Sequence, residues 1–77
     1  MAFSPDDQRL CYEWIASDRI VKQLMDIVSI AGLNAGATQK QLDAAHAALG
    51  ELPAADATRG DAWRRLMKSL GAPMPRR

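Results

Sequence analysis

From Leu10 onward, apolar side chains return at alternating intervals of four and three: Leu10, Trp14, Ser17, Val21, Leu24, Val28 and Ala31, with only Ser17 polar. This heptad-like spacing marks a helix that lies along a neighbour of similar length. Ile20 and Ile27 widen the apolar arc. Asp18, Arg19, Lys22, Gln23 and Asp26 occupy the rest of the cylinder, with Asp18/Lys22 and Lys22/Asp26 spaced to pair as i,i+4 neighbours. Ser4-Pro5-Asp6-Asp7 opens the segment with a capping hydroxyl, a proline at the first helical position and two carboxylates at the positive end of the helix dipole. The first glycine after this start is Gly32. The pattern predicts one helix over residues 5–31, about 40 Å long.

Gly32 to Gly36 supplies glycine and asparagine for a turn with left-handed C-cap geometry. Thr38-Gln39-Lys40-Gln41 is a capping box, and it predicts a second helix over 39–49 that Gly50 closes. Leu42, Ala45, His46 and Leu49 are its inward positions, among many alanines. Leu52-Pro53 to Asp56 then reads as a connection, with Asp56 or Thr58 capping a third helix over 58–70. Trp63, Leu66, Met67 and Leu70 form the stripe of that helix. The expected fold is all-α: one long helix with two shorter ones packed on it. The expected core is Leu10, Trp14, Val21, Leu24, Val28, Leu42, Leu49, Trp63, Leu66 and Leu70. A compact domain of 77 residues is roughly 30 Å across. A straight first helix overhangs it, so either the helix breaks near Ser17-Asp18 or another chain covers the overhang. The seam keeps its phase through Ser17, which favours the second. Leu10, Trp14, Val21, Leu24 and Val28 are then the expected homodimer seam.

The length allows one domain, here residues 1–71, followed by a flexible basic tail at 72–77. The single cysteine, Cys11, excludes an internal disulfide. With the single histidine, His46, it falls short of a four-ligand zinc site, so no metal and no cofactor is expected. The start Met-Ala-Phe-Ser-Pro-Asp-Asp is unlike a secretory signal, no apolar run approaches a membrane span, and a lone thiol suits the cytoplasm. The net charge of +1 conceals an asymmetry. Residues 1–56 hold four basic and eight acidic groups, a net of −4. Residues 57–77 hold Arg59, Arg64, Arg65, Lys68, Arg76 and Arg77 against Asp61 alone, a net of +5. Such polarity suggests an interaction surface.

Candidate chemistry is sparse. Asp43 lies one turn before His46, which suits a base and its orienting carboxylate, yet no nucleophile or oxyanion donor accompanies them. Cys11 has no histidine near it in sequence. Asp6 and Asp7 suit the helix dipole better than a paired-carboxylate site. Glu13 shares a side with Leu24 and Ala31, either pairing with an arginine across an interface or sitting at the exposed end of the stripe. Trp14 and Trp63 are core residues or, as the alternative, anchors for a partner's pocket.

These readings lead to a small non-enzymatic protein-binding module, an inhibitor, adaptor or assembly factor of the kind phages and mobile elements encode. The expected partner surface is acidic and meets Arg64, Arg65, Lys68, Arg76 and Arg77. The alternative is a small nucleic-acid-binding regulator that uses the basic face of the third helix. A helix-turn-helix, however, needs a turn of three to four residues where about nine are expected here, and the pI of about 7.9 is low for a nucleic-acid binder.

Overall fold

In the computed structural model, which describes residues 3–71, the chain is an antiparallel helical hairpin. Helix α1 spans Pro5–Gly32 and helix α2 spans Gln39–Leu70. There is no strand among the described residues. The first helix and its capping are as expected: the Asp7 N–H donates to Ser4 Oγ (3.2 Å) and the Ser4 N–H to Asp7 Oδ2 (3.2 Å). The second helix opens as the capping box at Thr38 and Gln41 predicts.

The three-helix expectation is wrong in its second half. Segments 39–49 and 58–70 are parts of one helix of 32 residues, and Gly50 and Pro53 lie inside it. Gly50 has no positive φ, so it terminates nothing; the left-handed cap is Gly71, at φ 71°. Thr58 does not cap either, because its hydroxyl donates to the Ala54 carbonyl one turn back (3.0 Å). The physical reason is a second seam. Gln41, Ala45, Ala48, Leu52, Ala55, Arg59, Ala62 and Leu66 alternate by four and three across Gly50 and Pro53, and every one is buried or half-buried. Proline within a helix costs about 3 kcal/mol through its missing N–H and its clash with the preceding turn. The alanine-rich surroundings and an uninterrupted face against α1 offset that cost.

The turn also differs in detail from expectation. Leu33 caps α1 at φ −100°, and no residue between Gly32 and Gly36 has a positive φ. Asn34 shapes this turn instead, its Oδ1 accepting from the Gly36 N–H (3.0 Å) and its carbonyl from the Ala37 N–H (3.0 Å).

A second helix longer than the first, 32 residues against 28, settles the overhang. The hairpin measures 50 × 28 × 17 Å, so α1 lies along α2 and beyond the end of nothing. Ser17 sits in unbroken helix, donating to the Glu13 carbonyl (2.8 Å). Val21, Leu24, Ala31, Ala45, Ala48, Ala62 and Leu66 form the core. Of the expected core, Val21, Leu24 and Leu66 are buried, and Leu10, Trp14 and Val28 are half-buried. Leu42, Leu49, Trp63 and Leu70 are exposed. They occupy the heptad position next to the α2 seam, where alanines take the inner places and bring the helix axes close.

Candidate interaction surfaces

Two cross-helix contacts define each face of the hairpin. On the first face, Arg65 Nη2 stands 4.0 Å from Glu13 Oε2, and Ile27 and Ile30 line a shallow cleft of ≈ 220 Å³ with Gln41 and Ala44. Ile20, one heptad before Ile27, continues this side. Ile20, Ile27 and Ile30 are all exposed. Of the alternatives for Glu13, the structure shows an exposed side chain that also stands next to an arginine, one of its own chain. The ion pair of Arg64 with Asp61 engages a second member of the expected basic patch. Arg64, Arg65 and Lys68 are solvated at the open end of the hairpin, the first two next to a carboxylate. Arg76 and Arg77, with the expected tail 72–77, lie outside the described residues.

On the second face, Trp14 and Trp63 pack as a tilted pair, ring centroids 5.2 Å apart and ring planes at 53°. The pair is at once packing and surface, since Trp63 remains 39% exposed. Beside it Arg59 bridges the helices, donating from Nη1 to Asp18 Oδ1 (3.1 Å) and from Nη2 to Asp56 Oδ1 (2.6 Å). Lys22 Nζ completes the group at 2.8 Å from Asp18 Oδ2. Hydrogen bonding from Lys22, reinforced by Arg59, holds the Asp18 carboxyl below its ordinary value of 3.8. The same contacts push the Arg59 guanidinium up, Asp18 first and Asp56 second. Two grooves meet at this bridge. One, of ≈ 350 Å³, is lined by Val21, Met25, Leu52, Pro53, Asp56 and Arg59. The other, of ≈ 330 Å³, is lined by Trp14, Asp18, Asp56, Arg59, Gly60 and Trp63.

The open end is closed by Ser69, whose hydroxyl donates to Asp7 Oδ1. That bond, with the Ser4 cap, lowers the Asp7 pKa. Asp7 therefore has a tertiary contact beyond its favourable place on the dipole.

His46, expected to point inward, is exposed, and Asp43 Oδ1 accepts from Gln39 Nε2 (2.9 Å). Cys11 is a half-buried free thiol. Among the described residues no three His, Cys, Asp or Glu side chains cluster as a metal site. The expected homodimer seam, Leu10, Trp14, Val21, Leu24 and Val28, is the face of α1 that packs on α2 of the same chain, which corrects the surface assigned to it. No helix among the described residues is long and apolar enough to cross a membrane. The unbroken α2 also leaves no turn between its halves for a helix-turn-helix. Compared with protein-family models, curated proteins and solved structures, the chain matches none.

Proposed function

We propose that this hairpin is a non-enzymatic protein-binding module, an inhibitor, adaptor or assembly factor that presents a rigid two-helix surface to an acidic partner. The observation that carries the reading is the isoleucine face. Ile20 and Ile30 are each more than half exposed, at 52% and 54%, although both helices are fully formed. Three branched apolar side chains within residues 20–30 give a partner an anchor strip at helical spacing. Arg64 and Lys68 near the open end add positive charge that raises the rate of encounter with an acidic surface.

A tagged chain used to capture partners from lysate, with and without nuclease, tests the reading. The expected result is a protein retained after nuclease and lost with Ile27→Glu/Ile30→Glu. Arg64→Glu/Lys68→Glu should slow its association and weaken the salt dependence. Arg65 is left unchanged in this test because its contact with Glu13 joins the two helices, whereas the Arg64–Asp61 pair lies within α2. Capture that vanishes with nuclease would favour the nucleic-acid regulator instead. Capture indifferent to both pairs of substitutions would reject the isoleucine face.

A further inference from the structure

The opposite face carries a second pattern that partner docking on the isoleucines leaves unused. On α2, Leu42, Leu49, Asp56, Trp63 and Leu70 follow one another at intervals of seven. The four apolar members are 38%, 50%, 39% and 38% exposed. Met25 of α1 adds another half-exposed apolar group beside them. This row is symmetric about Asp56. Turned end for end, it reads the same: leucine, then leucine or tryptophan, then aspartate at the centre.

We infer that this face joins a second copy of the chain, α2 crossing α2 antiparallel about a two-fold axis near Asp56, to give a four-helix bundle. In that register Leu42 meets the partner's Leu70, and Leu49 meets the partner's Trp63. The two grooves fit this arrangement, because they flank the axis. The partner's Trp63 lies over the groove of Met25, Leu52 and Pro53, and its Leu49 over the groove of Trp14, Gly60 and Trp63. Gly60 supports the same reading. It sits inside α2, where glycine costs about 1 kcal/mol relative to alanine. Within the chain an added Cβ would meet nothing closer than the Arg64 guanidinium, at 3.9 Å. Its smallness serves no contact in the hairpin and suits a close approach from outside.

Charge does not oppose the pairing. Asp56 lies near the axis, but it belongs to a neutral set in which Arg59 and Lys22 balance Asp18 and Asp56. Area and layering agree as well. A hairpin is one helix deep, whereas stable domains close two layers on a shared core. Each face, roughly 40 Å by 20 Å, offers about 800 Å², which is what each partner buries in a standard interface. The isoleucine face is a poorer self-partner, because its α2 row is Ala44, Glu51, Thr58 and Arg65.

Sedimentation equilibrium of the intact chain over a wide concentration range is the test, with circular dichroism of each variant alongside. The wild type should move from 8.4 kDa to twice that mass as concentration rises. Leu49→Glu and Leu42→Glu should each hold it at 8.4 kDa with the helical signal kept, while Ile30→Glu should dimerise as the wild type does. Tryptophan quenching by acrylamide in the wild type provides a reading free of any folding defect, and it should fall as the dimer forms. A wild type that remains at 8.4 kDa throughout, a Leu49→Glu chain that keeps the dimer mass, or quenching indifferent to association would each overturn the inference.

Discussion

Asp18 shows how much one side chain ties together. It accepts from Lys22 within α1 and from Arg59 across the interface, and both contacts favour its charged form. Asp7 is held the same way by Ser69 and Ser4. Carboxyls with lowered folded pKa values contribute stability that is complete above the unfolded value of 3.8 and disappears as pH falls through the folded values. The urea midpoint should therefore be steady near neutrality and drop below about pH 4. Asp7→Asn/Asp18→Asn should start lower at neutral pH and fall less over the same acid range; an acid drop as large as the wild type's would remove these two groups from the account. The Asp18–Lys22 spacing was readable from sequence, because i,i+4 geometry is local. The Arg59 bridge was not: residue 59 falls on a seam only if α2 runs through Pro53. Glu13 was ambiguous for the same reason, since its partner, Arg65, is 52 positions along the chain.

At the scale of elements, α1 was legible end to end because its cap, apolar period and terminal glycine agree. The start of α2 was equally plain. Its middle is not, because glycine and proline are local breakers and the alanines that override them are too small and weakly apolar to stand out as a seam. Ala45, Ala48, Ala55 and Ala62 carry that seam, and the bulky Leu42, Leu49, Trp63 and Leu70 form a neighbouring row with the stronger apolar signal. Two substitutions separate the alternatives. Pro53→Ala restores a helical N–H and should stabilise the hairpin by about 1–3 kcal/mol; in a connecting loop it would be neutral or destabilise by about 0.4–1 kcal/mol. Gly50→Ala adds a Cβ that meets nothing within 4 Å and should stabilise by about 0.5–1 kcal/mol. Were Gly50 a left-handed cap, alanine there would destabilise. Ala62, 1% exposed, has no room to grow. Ala62→Leu should cost about 1–3 kcal/mol, measured by the same urea unfolding.

For the whole molecule, the sequence conveyed all-α class and a demand for lengthwise cover on α1, but not the source of that cover. A compact globule of this length cannot house a 40 Å helix. The hairpin removes the conflict by pairing two long helices and leaving two faces open, one rich in isoleucine and one bearing the symmetric α2 row. Both proposed surfaces depend on α2 being continuous, so its length is the quantity to measure. Spin labels at Lys40→Cys and Lys68→Cys, in a Cys11→Ser background diluted with unlabelled chain, report the span of α2 by pulsed dipolar spectroscopy. Twenty-eight residues of unbroken helix place the two sites about 42 Å apart. A distance below roughly 20 Å, as expected if residues 58–70 folded back beside 39–49 at helix-packing distance, would contradict the hairpin.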